Sequence, residues 1–332
     1  MTSRFLRYLL ALAIPAAAFA AAPVRLIFDT DMGNDIDDAL ALAMIHALEN
    51  RGEAKLLGVT ISKDNPWAAP YVDVVNTFYR RPEILIGAVR NGKTRDDGKY
   101  VRKIARSGVY PHRLDEGRNA PDALVVLRRI LAAEKDGAVV IVQTGFSTNL
   151  ARLLKAPSDS VSPLTGEELV RRKVRFISMM GGNFATPAGG EYNIATDLPA
   201  AKTLFSDCPV PIVVSGYEIG NRILYPAKSI DTDFRYVAHH PVAEAYRLYD
   251  RMPYDRPTWD LTSVLYAVQP KESFDTSQPG RIRVTANGQT VFTRDPAGLD
   301  RYLVASQSQC DRALATMLEL VPMRPRAAEQ RQ

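Results

Sequence analysis

Apolar runs with the length and β-branched content of buried strands recur along this chain, and helical patterns separate them. VRLIF (24–28) leads into an apolar stretch read as a helix from Asp37 to Glu49. KLLGVTIS (55–62) precedes a helix that starts near Trp67 and runs through YVDVVNTFY, and EILIGA (83–88) is a short third strand. PDALVVLRRILAAEKDG (121–137) is amphipathic and closes on Gly137, a helix stop. AVVIVQTG (138–145) is followed by the helix STNLARLLKA, with Ser147 or Thr148 as N-cap. KVRFISMMGG (173–182) and VPIVVSG (210–216) enclose the helix DLPAAKTLFSD. Strands joined through helices must return in the same direction over a face of the sheet, so the pattern predicts a three-layer, Rossmann-like α/β fold around a mostly parallel central sheet.

The remaining segments bound this picture. Residues 89–120 are polar and contain glycines, and read as a surface excursion. The last third reads as helices and loops, with a hairpin around RIRVTANGQTVFT whose turn is Asn287-Gly288. No internal repeat or long linker divides the chain, so a single α/β domain is expected over 23–325, followed by a frayed tail at 326–332. At the start, Arg4 and Arg7 precede the short apolar run YLLALAIPAAAFA, and Ala18-Phe19-Ala20 has the small-x-small form of a signal-peptidase site. Residues 1–22 therefore read as a signal peptide cut near Ala20 or Ala22. The run falls short of the ~20 strongly apolar residues of a membrane span. The expectation is an exported protein, periplasmic or secreted, without stable membrane insertion. Net charge is +5, of which Arg4 and Arg7 account for two. An excess this mild and scattered argues against nucleic acid or an anionic membrane as partner. Cys208 and Cys310 are the only cysteines, and either a disulfide or two free thiols fits them.

Ligands of open parallel sheets bind beyond the carboxyl ends of the strands. Four polar or glycine-rich turns fall there: the loop after the first strand, QTGFSTN, MGGN and SGYEIGN. The first of them carries five aspartates in ten residues, Asp29 to Asp38. Carboxylates crowded without cysteine or histidine suit a hard cation such as Ca²⁺ or Mg²⁺ and argue against zinc. A helix N-terminus dressed with acids accounts for one or two aspartates, not five. An EF-hand loop counted from Asp29 fails, because Asn34 replaces its glycine and Leu40 its final glutamate. A D-x-D phosphatase is disfavoured by Gly33, two residues beyond the second aspartate.

DTDMGNDIDDALA resembles the N-terminal signature of the inosine-uridine preferring nucleoside hydrolases, DTDxGxDDA, with two more residues between the glycine and the aspartate pair. VQTGFSTNLARLL is similar to the family's TGxLTNxA segment, MGGNFATPAGGEYNIATDLPAA to its GGN…AEFNxxxDPEAA segment, and RPTWDLTSVLYAV stands where it has HDPLA. The four matches run in family order from about residue 24 to 270. The resemblance implies an α/β fold of the nucleoside hydrolase type, one Ca²⁺ at the base of the pocket, and hydrolysis of ribonucleosides to ribose and free base, a step of nucleoside catabolism and salvage. It implies Asp31, Asp38, Asp260 and the carbonyl of Thr144 as metal ligands, with Asp35 open as an alternative because of the two extra residues. Asp31 also becomes the general base toward a metal-bound water. Asp37, Asn183, Glu191 and Asn193 would hold the sugar, Trp259 would face the base, and Asp29 would orient the loop. A homo-oligomer is left open.

One departure bears on the chemistry. The family's histidine before the last aspartate is replaced by Trp259, which cannot act as an acid at neutral pH. The departing base must then be protonated by another group, with His239, His240, Tyr246, Tyr249 and Tyr254 as candidates, or leave unprotonated beside the indole. Tyr217, Phe184 and Glu218 are further candidates for pocket walls. A protein that binds nucleosides or ribosyl compounds without hydrolysing them is the alternative reading.

Overall fold

The computed structural model describes residues 22–186 and 189–326. The expected signal peptide, except for residue 22, and most of the expected frayed tail lie outside these. The strands are β1 (Val24–Thr30), β2 (Ala54–Lys63), β3 (Leu85–Lys93), β4 (Val139–Gln143), β5 (Val174–Met180), β6 (Ile212–Ser215), β7 (Leu224–Tyr225), β8 (Arg256–Pro257), β9 (Asp275–Thr276), β10 (Gly280–Val284), β11 (Thr290–Arg294) and β12 (Arg301–Val304). Eight of them form one sheet in the order β3-β2-β1-β4-β5-β6-β12-β9, parallel throughout except for the last pair.

Side chains alternate between two hydrophobic cores, as the two-residue period of a strand requires. In β1, Leu26 and Phe28 pack into one core and Ile27 into the other; in β4, Val140 and Val142 oppose Val139 and Ile141. One face is covered by the helices Asp37–Asn50, Ala68–Phe78 and Trp259–Val268, the other by Ala123–Ala133, Thr148–Leu154 and Leu198–Asp207. The three-layer α/β architecture expected from the alternating pattern is therefore present. The helix Asp37–Asn50 is buried from Asp37 through Glu49, because it lies between the sheet and the helix Trp259–Val268. That packing joins the first loop of the chain to the residues around 260.

Several local readings need correction. The helix expected to run to Gly137 stops at Ala133, and Gly137 sits at φ +62° in the following turn. Ser147 precedes the helix Thr148–Leu154 but does not cap it; its hydroxyl accepts from the Gln143 side chain at 3.2 Å. The segment 89–120 is more than a surface excursion. β3 continues to Lys93, a short helix spans Val101–Ala105, and Tyr100, Val101 and Ile104 are buried. The Tyr100 hydroxyl accepts from the Gly33 amide at 3.1 Å and donates to the Asp35 carbonyl, so this excursion clamps the aspartate-rich loop. The expected hairpin forms as β10–β11. Beyond the helices, loops and hairpin expected in the last third, β12 enters the main sheet beside β6. Cys208 and Cys310 are both free thiols. No helix among the described residues is long and apolar enough to cross a membrane.

Candidate active site

The carboxyl ends of β1, β4 and β5 open into a cavity of about 670 Å³. Asp31, Asp35, Asp37, Asp38, Thr144, Asn183, Glu191, Asn193, Trp259 and Asp260 all line it, together with Asn34, Asp96, Met180, Tyr192, Tyr217 and Arg256. Every residue expected to hold metal or substrate thus borders one space. Asp29 stands behind it, fully buried. Its backbone carbonyl accepts from Thr144 N at 2.7 Å, and its carboxylate accepts from the Thr60 hydroxyl at 2.5 Å and the Asn149 amide at 2.8 Å. Asp29 therefore sets the Thr144 turn against β1, the orienting part expected of it. The two loops approach so closely that a Cβ on Gly145 would lie 2.5 Å from the Asp31 amide nitrogen, which leaves room only for glycine.

Asp37, Asp38 and Asp260 each bring a carboxylate oxygen within 4.8 Å of the others. Asp37 Oδ2 accepts from the Asp260 amide at 3.0 Å, across 223 residues of sequence. Asp38 Oδ1 accepts from the Thr30 hydroxyl, while its Oδ2 is buried without a partner among the described residues. An orphaned, buried carboxylate oxygen in an all-oxygen cluster fits a hard cation. Burial, then the neighbouring carboxylates, holds the pKa of Asp38 and Asp260 well above the ordinary range; for Asp37 burial comes first and Asp35 second. Asp31 lines the same cavity but is not one of these three; its Oδ2 accepts from the Asn34 amide at 2.6 Å, and burial raises its pKa to about 6. The tightest triad thus includes Asp37, expected at the sugar, where Asp31 was expected.

The other expected residues are engaged as follows. Asn193 Nδ2 donates to the Thr144 carbonyl at 2.7 Å and reaches Met180 Sδ, tying the ends of β4 and β5 together. Glu191 caps the helix Tyr192–Thr196, accepting from the amides of Asn193 at 3.0 Å, Ile194 at 3.2 Å and Gly182 at 3.0 Å. Burial nevertheless pushes its pKa up to about 7. Asn183 Oδ1 closes its own turn by accepting from Ala185 and Thr186 amides. Of the secondary wall candidates Tyr217 lines the cavity, whereas Phe184 stacks on Tyr302 and Glu218 accepts from the Phe184 amide. His239, His240, Tyr246, Tyr249 and Tyr254 do not line it.

A pH dependence follows for the metal-free protein. Burial raises Asp29 to about 7 from 3.8, and Glu191 to about 7 from 4.5. A carboxyl whose folded pKa lies above its unfolded value stabilises the fold fully below the unfolded value and loses that contribution as pH rises through the folded one. The urea midpoint of the metal-free protein should therefore fall between about pH 4 and pH 8. A midpoint that rises over that window would contradict this account.

Residues not anticipated from sequence are the cations around the acids. Lys63, fully enclosed, donates to Asn34 Oδ1 and pairs with Asp96 at 2.9 Å. Arg256 pairs with Asp35. A loop with more aspartates than a cation site needs implies such partners, and this was the available signal.

A plant nucleoside hydrolase has a similar structure, with TM-score 0.69 and 20% identity over 90% of this chain and 99% of that one. The purine-preferring ribonucleoside hydrolase from Gardnerella vaginalis follows at 0.68 and 20%, covering 90% and 98%. The type III effector protein XopQ, complexed with adenosine diphosphate ribose, aligns at 0.65 and 17%, covering 91% and 95%. Comparison with curated proteins gives no match. The model of the inosine-uridine preferring nucleoside hydrolases matches residues 26–316, and the chain belongs to that family.

Proposed function

We propose that this protein hydrolyses the N-glycosidic bond of ribonucleosides, giving ribose and the free base, as an exported enzyme that uses Ca²⁺. The observation that carries the reading is the convergence of Asp37, Asp38 and Asp260, from opposite parts of the chain, with a buried oxygen on Asp38 that has no partner among the described residues. Asp31, Asp38, Asp260 and the Thr144 carbonyl would hold the ion, with Asp37 close enough to join them. When bound, such an ion supplies Lewis-acid activation of water and a template for the sugar hydroxyls.

The chain's own residues do the rest. Asp31, held through Asn34, accepts the proton of the attacking water. Asp37, Asn183, Glu191 and Asn193 present polar atoms to the ribose. Breaking the C1′–N bond builds positive charge on the sugar, and the surrounding carboxylates favour that charge.

The test is ribose release from inosine and uridine by the protein lacking residues 1–22, after chelation and with Ca²⁺ restored. Ribose formed only with Ca²⁺ is expected. A second reading, a ribosyl-binding protein without turnover, is favoured by Trp259 in place of a histidine, and the XopQ structure shows a member of this fold with a ribosyl ligand. Nucleoside binding without ribose would select it. Phosphate release from p-nitrophenyl phosphate with Mg²⁺ would instead select the D-x-D phosphatase.

A further inference from the structure

Of the candidates for protonating a departing base, all but Tyr249 are committed elsewhere, and Tyr249, outside the cavity lining, lies against Asp35 and the Arg256 guanidinium. The Trp259 indole N–H donates to the Tyr217 carbonyl at 3.0 Å. His239 is exposed and bonded to Glu244, and His240 packs among Phe78, Phe234 and Tyr236. Tyr246 and Tyr254 donate to each other's backbone carbonyls at 2.9 and 2.6 Å. Arg256 stands in their place. β8 pairs antiparallel with β7 and carries its guanidinium to the cavity wall, 5.1 Å from the ring centre of Trp259 and 5.0 Å from that of Tyr249. Asp35 anchors one Nη, while Nε is buried without a partner among the described residues. Trp259 stacks on Tyr217 with centroids 5.4 Å apart, an aromatic wall opposite in character to the acidic floor. A flat base fits that wall, and the ribose fits the acids.

Both departures from the family signature meet here. The lengthened aspartate loop supplies Asp35, and Asp35 fixes an arginine 221 residues away, three positions before the tryptophan that replaces the histidine. We propose that Arg256 is the leaving-group residue: it stabilises the departing base as an anion instead of protonating it. The inference rests on the hydrolase reading above. The C1′–N bond breaks with its electron pair on the base, delocalised onto a ring carbonyl oxygen that accepts an Arg256 N–H. Water adds its oxygen to C1′ and gives a proton to Asp31. The released base anion takes a proton from solvent, and Asp31 returns its own to solvent. Arginine has donors only, so the contact favours bases with a carbonyl there and disfavours an amino group.

The experiment compares Arg256→Gln and Arg256→Lys with the unaltered protein in Ca²⁺, on inosine and on p-nitrophenyl riboside, whose leaving group is already a stable anion. Arg256→Gln should lower kcat on inosine at least 100-fold and on p-nitrophenyl riboside less than tenfold, with Arg256→Lys recovering part of the inosine rate. Equal losses on both substrates would overturn the proposal, because an arginine that merely held the Asp35 loop would affect both alike. If the unaltered protein releases ribose from neither, the hydrolase reading fails separately. Calorimetry of inosine and of free ribose then decides the contact. A tenfold weaker affinity of Arg256→Gln for inosine alone supports it, and an unchanged affinity overturns it.

Discussion

Replacing Asp38 by asparagine should lower Ca²⁺-dependent ribose release by about a thousandfold or more and at the same time make the metal-free protein more stable. The two signs have one cause. Asp38 has one oxygen bonded to the Thr30 hydroxyl and one with no partner among the described residues, and it faces Asp37 and Asp260 across at most 4.8 Å. Two charges at that separation repel by about 3 kcal/mol at an effective dielectric of 20. Without a cation the repulsion is relieved only by taking up protons, which is why burial and neighbouring carboxylates raise the pKa of all three groups. Asparagine keeps the shape and the acceptor for Thr30 and removes the charge. The melting temperature in chelator should rise by a few degrees. The unaltered protein should gain about 2.7 kcal/mol from an ion at 100 times its Kd, and the variant should lose most of that gain. Thermal melts with chelator and with Ca²⁺ read both effects. A variant that still responds to Ca²⁺ like the unaltered protein would remove Asp38 from the ion site.

The layered fold was legible because every buried strand of a parallel sheet is a short apolar run, and six such runs stood out between helical patterns. β12 was not legible, since Arg301-Tyr302-Leu303-Val304 is no more apolar than many loops, and only its docking beside β6 makes it a strand. Residues 89–120 differ from a surface excursion for a related reason. Their polar average conceals Tyr100, Val101 and Ile104, whose burial depends on a long-range fit over the aspartate loop. At the site, motif order identified the residues that line the cavity, because each follows a strand end. Arg256 and Lys63 carry no sequence signal of their own, because a cation's partner is set by space and not by spacing. Asp35 lies 221 residues from the guanidinium it holds. The division of labour between Asp31 and Asp37 was likewise beyond a motif. The Asp37 carboxylate accepts from the Asp260 amide, a contact that spans 223 residues and that no local spacing announces.

Asp31→Ala should reduce turnover about 10²–10⁴-fold, the usual contribution of a general base, while leaving the fold intact. Asp31 lines the same cavity but is not one of the three clustered acids, and the Asn34 amide, itself held by enclosed Lys63, fixes its orientation. Burial sets its pKa near 6, against the Asn34 hydrogen bond and the Lys63 charge that pull it down. That value belongs to the metal-free site; in the loaded enzyme it is the placement of the carboxylate on the cavity wall that suits it to accept a proton from an activated water. The triad of Asp37, Asp38 and Asp260 survives this substitution, so Ca²⁺ should still raise the melting temperature, though by less than in the unaltered protein. Asp38→Asn, by contrast, should lose most of the response. Comparing the two variants separates proton transfer from ion binding: loss of turnover with a retained Ca²⁺ response marks Asp31 as the base. Loss of both would make it chiefly a ligand, and near-normal turnover would deny it either part.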